Sequence, residues 1–444
     1  MPISDAFHKK TPYNRDMVVL VRISKIRRTK MQDKNIIKST FFQFFKPIFS
    51  KNLQKKIITF GADKYVKKLT TFQLLELIIC AQLNQQRNLR EISNNFNDDR
   101  FSKQIGVESF SASQISRRLR DLPTELLQSL FVEIISEAIN QIGLSVVNQE
   151  LGPILRIIDS TTISLCLTQY PWAVFRKTKS GIKVHLALRF LDGNTIPEKI
   201  VITPAKHNDK TQMDSLIVES EDVLNVFDRG YLDYKKFDDY CQKGIRFVTR
   251  LKDKAIVEVM ESQPVKPDSP VKKDMIVRLG TNQKKMKYKL RLIEVDDTKG
   301  KLLRIITNDF DLNSEEIGDI YRYRWQIELF FKWLKQHCCV KHFYGLSQQA
   351  VENQIYIALI TYCLLQLLKL KTNYQGPLLQ ILTLLTTCLY DFFKIFLKKL
   401  HRKERKSKGR RKIDYEKIYQ MTERQVMEGE MGLFYDLTYD PVIL

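Results

Sequence analysis

Two short apolar runs in the middle of the chain each end in an aspartate. The first, Leu155-Arg-Ile-Ile-Asp159, precedes Ser-Thr-Thr, and the second, Leu224-Asn-Val-Phe-Asp228, precedes Arg-Gly-Tyr. Runs of this length and composition predict buried strands. A carboxylate that ends such a strand is costly to desolvate, but functional sites assemble where the strands of an α/β sheet end. The pair therefore predicts a mixed α/β domain with an acidic site at one edge. Either aspartate alone is better explained as a turn or capping residue.

The pattern on either side of these runs divides the chain into regions. Residues 31–150 and 346–400 have helical periodicity, and 151–345 mix strands with helices. Within the middle region, residues 245–312 alternate strands and turns, which predicts a β-rich insertion. A basic arm, 1–30, precedes these regions, and Met31 is an alternative start. A tail, 401–444, follows them and begins with eight Lys and Arg within 401–412.

Charge and composition indicate the kind of partner. The 444 residues include 73 Lys and Arg against 50 Asp and Glu, a formal charge of +23. Such an excess favours a polyanion, with nucleic acid ahead of a membrane surface. The seven cysteines include no Cys-x-x-Cys pair, which favours reduced thiols in an intracellular protein. The apolar stretches are too short or too charged for a span of about 20 residues, so we expect a cytoplasmic protein.

A third acid lies in a helix predicted to begin near Ser314. Tyr321, Arg324, Glu328 and Lys335 fall within an arc of about 60° on this helix, and most of the remaining circumference is apolar. A helix of this kind packs into the protein and directs its polar stripe at a specific partner. The alternative is a ladder of ion pairs between Glu328 and cations one turn away.

Two aspartates and one glutamate suit phosphoryl transfer at a DNA phosphodiester. That reaction needs an activated nucleophile and a stabilised leaving oxygen, and two metal ions about 3.5–4 Å apart supply both. Oxygen ligands favour Mg²⁺. Cations beside the third acid, such as Arg324 and Lys335, are suited to binding the flanking phosphates.

The four residues of the polar stripe also have a recognisable spacing: Tyr321-(2)-Arg324-(3)-Glu328-(6)-Lys335. This spacing resembles the Tyr-Arg-Glu-Lys signature of the DDE insertion-sequence transposases. Asp159 in Ile-Ile-Asp-Ser-Thr and Asp228 in Phe-Asp-Arg-Gly-Tyr resemble the first and second acids of that family. The resemblance covers about residues 31–400. It implies a ribonuclease-H-like mixed sheet with flanking helices and a β-rich insertion, preceded by an all-helical N-terminal domain.

The resemblance also implies an activity. In this family the acids bind two divalent ions, the enzyme cuts DNA at terminal inverted repeats, and the freed 3′-hydroxyl attacks target DNA. It therefore implies a transposase with Asp159, Asp228 and Glu328 as catalytic metal ligands, Mg²⁺ or Mn²⁺ as cofactor, and a homodimer on double-stranded DNA at the nucleoid. Phosphate contacts are expected from four residues: Tyr321, Arg324, Lys335 and Arg229.

A DNA-reading element is expected in the N-terminal region. A short helix over Leu89–Phe96, a turn, and a Ser-capped helix over Ala112–Leu122 predict a helix-turn-helix that displays Arg117, Arg118 and Arg120. An ordinary helical bundle with a solvated basic face explains the same pattern equally well.

Two further polar features lie near the predicted strands. Lys183 and His185 share one strand face, and, separately, His207-Asn-Asp209 follows the end of another predicted strand. Such residues could approach the metals or the DNA, but structural roles are the favoured interpretation.

Two other functions stay open: a plain metal-dependent nuclease of the same fold, and a catalytically inactive DNA-binding repressor decayed from a related element. The joint presence of three acids and two cations favours the enzyme.

Some relatives stack a flipped base on a tryptophan of the insertion, but the three tryptophans here are 172, 325 and 333. A hairpin step is therefore unsupported. The inverted repeats and the target preference are not readable from the sequence.

Overall fold

The computed structural model of the chain describes residues 38–145, 153–191, 193–267, 269–281, 283–296 and 302–402. The predicted basic arm 1–30, Met31 and almost all of the basic tail lie outside these residues.

The N-terminal region is helical, as its periodicity predicts. Several of its helices begin at a side chain that accepts a hydrogen bond from a main-chain N–H three residues later, as at Ser50, Asn88, Asp98 and Ser111. The helices are α1 (Thr40–Phe45), α2 (Lys51–Thr59), α3 (Thr71–Leu83), α4 (Leu89–Phe96), α5 (Asp99–Ile105), α6 (Ala112–Asp121) and α7 (Thr124–Ser145). Helix α5 separates α4 from α6, so the predicted helix–turn–helix connection between these two helices is wrong.

One mixed sheet forms the middle of the chain. Its first strands, with the helices between them, are β1 (Ile154–Leu165), β2 (Val174–Arg176), β3 (Lys179–Leu191), β4 (Asn194–Pro204), α8 (Asp209–Leu216), β5 (Val223–Phe227), α9 (Tyr234–Gln242) and β6 (Arg246–Arg250). They are followed by β7 (Val257–Gln263), β8 (Val271–Thr281), β9 (Lys284–Lys285), β10 (Leu290–Asp296) and β11 (Leu302–Thr307). The main strand order is β2-β3-β1-β5-β6-β11-β10-β8-β7, with β4 paired to β3 and β9 to β8.

The strand directions confirm the predicted ribonuclease-H-like mixed sheet. Strands β1, β5 and β6 are parallel, and β3 and β4 add to β1 in antiparallel fashion. The stretch 245–312, expected as a β-rich insertion within this domain, contains strands that continue the same sheet. Its first strand, β6, is a parallel neighbour of β5, and β11 pairs directly with β6.

Two local predictions differ from the structure. Asp159 does not end its strand, because the antiparallel partner β3 extends alongside β1 as far as Leu165. The helix expected from Ser314 is divided into α10 (Ser314–Arg322) and α11 (Trp325–His337). The break falls at Tyr323 and Arg324.

A long apolar helix joins the two helical regions. Helix α12 (Gln348–Lys371) is long and apolar enough to cross a membrane, but 94% of its most apolar window is buried inside the protein. It packs against α3, α6 and α7, and one hydrophobic core includes residues from both helical regions. The prediction of a buried helix is therefore confirmed. Helices α13 (Leu378–Cys388) and α14 (Phe393–Leu400) complete the described chain.

Candidate active site

The two aspartates lie at the same edge of the sheet. Strands β1 and β5 pair in parallel as far as Ile158 and Phe227, so that Asp159 and Asp228 are the next residues on neighbouring strands. Antiparallel pairing with β3 continues beside Asp159, whereas the chain turns away from the sheet after Asp228. The predicted proximity of these two acids thus follows directly from the strand register.

Helix α11 brings the third acid to this edge through a buried arginine. The Arg324 side chain donates a hydrogen bond from Nη1 to Glu328 Oε1 at 2.7 Å and lies 3.7 Å from Asp159 Oδ2. Its guanidinium carbon lies 4.7 Å from the ring centre of Trp325, and the residue is only 8% exposed. The pair of Glu328 with Arg324, one rung of the ion-pair ladder considered from the sequence, is present, and Arg324 also reaches an acid of the sheet.

The three acids also share one electrostatic environment. Burial raises the pKa of Asp159 to about 7; Arg324 opposes this shift, whereas Glu328 and Asp228 add to it. Burial likewise raises the pKa of Glu328, again opposed by Arg324 and reinforced by Asp228. One guanidinium therefore compensates only part of the negative charge that these carboxylates carry when ionised.

This donor set suits a divalent cation. In the part of the chain that the structure describes, no three His, Cys, Asp or Glu side chains lie close enough together to hold an ion as they stand. Instead, the Arg324 guanidinium provides positive charge between Asp159 and Glu328. Carboxylate oxygens are the ligands that Mg²⁺ and Mn²⁺ prefer, so the residues fit such an ion chemically.

The expected phosphate-binding residues differ in their surroundings. Lys335 Nζ donates a hydrogen bond to Thr161 Oγ1 at 2.6 Å, two residues beyond Asp159, and burial lowers the pKa of its ammonium group. Arg229 is exposed beside Asp228. Tyr321, by contrast, is only 7% exposed and packs in a hydrophobic cluster, and burial raises its pKa to about 12. Its expected contact with phosphate is therefore not supported.

The three arginines predicted to read DNA differ in their contacts and exposure. Arg118 forms a 2.8 Å ion pair with Asp63 and donates hydrogen bonds to the carbonyl oxygens of Ala62 and Leu69. This arginine holds α6 against the segment before α3, so the expectation that it is displayed to DNA is wrong. Arg117 and Arg120 are exposed.

A groove beside α6 has the character of a polyanion-binding surface. It has a volume of about 660 Å³ and is bounded by α4, α6 and the segment before α12. Arg90 and Arg117 line it, together with the aromatic side chains of Phe343 and Tyr344. Both arginines are exposed, and neither forms an ion pair with any residue that the structure describes.

One further cation at the acidic edge was missed from the sequence. Arg250 is the last residue of β6, and β6 lies beside β5, which leads into Asp228. Its Nε and Nη2 atoms are buried and make no hydrogen bond to the described residues, and the Asp253 carboxylate lies 3.6 Å away. The predicted strand Arg-Phe-Val-Thr-Arg ends in Arg250, just as the two apolar runs end in Asp159 and Asp228. This parallel is the sequence signal that could have indicated Arg250.

Comparisons with known proteins identify the class to which this fold and site belong. Residues 150–364 match the transposase DDE domain, and residues 37–102 match a domain of unknown function, DUF4372. A protein of Sinorhizobium fredii described as a transposase is 31% identical over 245 residues, which cover 53% of this chain and 67% of that protein. The chain therefore belongs to the DDE transposases, enzymes that cut DNA and transfer its strands.

Two more similarities were found. A protein of Geobacillus stearothermophilus, described as a transposase for an insertion sequence element, is 29% identical over 312 residues, covering 69% of this chain and 79% of that protein. A solved structure of the piggyBac transposase synaptic complex with hairpin DNA is 12% identical in sequence. It covers 85% of this chain and 87% of its own, with a TM-score of 0.39.

Proposed function

We propose that Asp159, Asp228 and Glu328 are the catalytic acids of this transposase and that they hold two divalent ions. Mg²⁺ is the expected cofactor, and Mn²⁺ can substitute for it. The observation that carries this proposal is the Arg324 guanidinium, which contacts both Asp159 and Glu328 at the edge where β5 leads into Asp228. A carboxylate from a strand and one from a helix thus contact a single guanidinium.

Asp159 and Arg324 must both change before this site can bind metal ions and DNA. Bound divalent ions activate the attacking oxygen and stabilise the leaving oxygen in phosphoryl transfer. For Asp159 to act as a ligand it must lose its proton, which its raised pKa makes sensitive to pH near neutrality. Arg324 must release the carboxylates, and its planar guanidinium is then free to bind a phosphate through two parallel hydrogen bonds.

Cations around the acids are placed to hold the DNA backbone. Lys335 lies beside β1 just beyond Asp159, Arg229 is exposed next to Asp228, and Arg250 ends the neighbouring strand. We assign phosphate contacts to these three residues and to Arg324. Tyr321 contributes differently, since its ring packs 6.0 Å from the guanidinium carbon of Arg324 and helps to fix that side chain.

The DNA partner comprises the terminal inverted repeats of the element and its target. We assign the groove with Arg90 and Arg117 to the DNA that extends beyond the cleavage point. Because two ends must be joined in one event, the active species is a homodimer on DNA. The enzyme acts in the cytoplasm, at the nucleoid.

A cleavage and strand-transfer assay tests this proposal. Purified protein is incubated with duplexes that carry the ends flanking its own locus, a supercoiled target plasmid, and Mg²⁺ or Mn²⁺. Glu328→Gln removes one proposed ligand while keeping the side chain's size. Asp319→Asn is the matched control, because Asp319 lies on α10 in an exposed pair with Arg322.

The expected result is nicked and joined product from the wild type and from Asp319→Asn, and none from Glu328→Gln. Cutting without joining would identify a plain nuclease. Tight DNA binding without product in either metal would identify an inactive DNA-binding protein. Unchanged activity of Glu328→Gln would refute the assignment of the third acid.

A further inference from the structure

The Asp209 carboxylate, near the proposed catalytic edge, contacts three side chains of the sheet. Asp209 begins helix α8, and its Oδ1 accepts a hydrogen bond from Ser160 Oγ at 2.6 Å. The same oxygen lies 3.2 Å from Lys183 Nζ and 3.4 Å from His185 Nδ1. Ser160 and His185 are directly opposite each other on β1 and β3, so Asp209 joins two strands through adjacent partners.

This cluster lies on the face of the sheet opposite the proposed metal ligands. Successive side chains of a strand point to opposite faces. Ser160 therefore shares the face of Ile158, which packs with Met213 of α8, whereas Asp159 shares the face of Ile157, which belongs to the core that includes α11. Asp209 thus contacts β1 on the face of the sheet opposite the Asp159 side chain.

Charge and burial exclude a ligand role for the cluster itself. The Asp209 carboxylate is already compensated by Lys183, whose side chain is only 15% exposed. The His185 ring is fully buried, and its Nε2 lies 3.0 Å from Thr203 Oγ1 on β4. Thr203 therefore occupies Nε2, whereas Nδ1 faces the Asp209 carboxylate without a hydrogen bond to the described residues. Burial lowers the pKa of His185 to about 4, so the ring is neutral.

A short connection links Asp209 to the first catalytic acid. The main-chain N–H of Ser160 donates a hydrogen bond to Asp159 Oδ1 at 2.7 Å, while the Ser160 hydroxyl is held by Asp209. The anchor on the Ser160 side chain adds to the pairing with β3 in holding the main chain whose N–H binds Asp159 Oδ1. Groups that orient a metal-binding carboxylate in this way typically change metal affinity 10–100-fold when removed.

We propose that Asp209 is a positioning residue that acts through Ser160 to preorganise Asp159 for metal binding. Lys183 and His185 hold Asp209 in place for this purpose. The inference rests on the proposed function only in taking Asp159 as a metal ligand.

The test is Mn²⁺ binding to the full-length protein, measured by titration calorimetry, with thermal unfolding recorded on the same samples. Ser160→Ala removes the hydroxyl and Ser160→Thr retains one. Asp209→Asn removes the charge of the anchor. Asp214→Asn is the matched control, because Asp214 is on the same helix and binds Lys236 and Tyr240 in the same manner, away from Asp159.

We expect Ser160→Ala and Asp209→Asn to bind Mn²⁺ about tenfold more weakly than the wild type, with Ser160→Thr and Asp214→Asn within twofold of it. Wild-type affinity in Ser160→Ala and Asp209→Asn would overturn the inference. So would an equal loss in Asp214→Asn, since the cluster would then be merely structural. The cleavage assay tests the proposed function separately. A wild type that binds Mn²⁺ but leaves end DNA uncut refutes that function, while the affinities still decide the role of Asp209.

Discussion

Replacing Arg324 by methionine removes the positive charge between the catalytic acids and keeps a side chain of similar length. Arg324 is 8% exposed, and its partners Glu328 and Asp159 have side chains 26% and 20% exposed. Removing one partner of a buried ion pair costs about 3–5 kcal/mol because the other charge is left uncompensated. Since both carboxylates retain some exposure, we expect the lower end, a loss of about 3 kcal/mol at pH 8.

The pH dependence of this loss has a definite sign. Burial raises the pKa of Asp159 to about 7 in the folded protein, above its ordinary value near 3.8. Above pH 7 the ionised carboxylate is a cost to the fold, and this cost disappears as Asp159 is protonated on lowering the pH. The loss caused by Arg324→Met should therefore be largest at pH 8 and shrink at pH 5.

Denaturant unfolding at both pH values, without divalent ions, measures the effect. Arg322→Met is the matched control, because Arg322 pairs with Asp319 at 2.9 Å with both side chains about half exposed. An exposed pair of this kind contributes about 0–1 kcal/mol. Equal losses in the two variants at pH 8, or a loss for Arg324→Met that is unchanged at pH 5, would refute the reasoning.

Three further predictions concern the metal site, the arginines of α6 and a buried asparagine. Mn²⁺ affinity should fall about tenfold from pH 8 to pH 6, because the ion must compete with a proton on Asp159; calorimetry at the two pH values measures this. Arg117→Ala should weaken end-DNA binding and lower its salt-dependence slope by about one, whereas Arg118→Ala should instead destabilise the fold by about 2–3 kcal/mol. Asn353→Ala should cost about 2 kcal/mol in denaturant unfolding, because it strips hydrogen bonds from two buried carbonyl groups of α6 and its C-terminal end.

Each of these predictions can fail separately. A pH-independent Mn²⁺ affinity would place the ion away from Asp159. If Arg118→Ala weakened DNA binding and left the stability unchanged, Arg118 would be the arginine that contacts DNA. If Arg117→Ala left the salt dependence of DNA binding unchanged, Arg117 would not contact a DNA phosphate. An Asn353→Ala protein as stable as the wild type would show that the two carbonyl groups find other partners.

Local patterns predicted most of the elements that build the site. The apolar run before Asp228 is a buried strand that ends at Phe227, and apolar residues on all sides of 355–368 correctly indicated a buried helix. In contrast, the first strand was expected to end at Asp159, before Ser-Thr-Thr, although threonine is a good strand former. The strand continues there because β3 pairs alongside it, and that pairing is a long-range property which local composition does not encode.

Side-chain partners were the least predictable feature. The helical pattern displays Arg117 and Arg118 alike, but among the residues that the structure describes only Arg118 has an acidic partner, Asp63, which lies 55 residues earlier in the chain. The anchor of Ser160 by Asp209 likewise joins residues 49 positions apart. Both contacts depend on how the elements pack, so the sequence supplied the residues and left their pairing undetermined.

The most direct test of the central claim is an anomalous difference map from crystals of the protein with end DNA and Mn²⁺. The account predicts two peaks about 3.5–4 Å apart among the carboxylates of Asp159, Asp228 and Glu328, with Arg324 turned from these acids to a phosphate. Peaks elsewhere, with Arg324 still bridging Asp159 and Glu328 in the DNA complex, would contradict it.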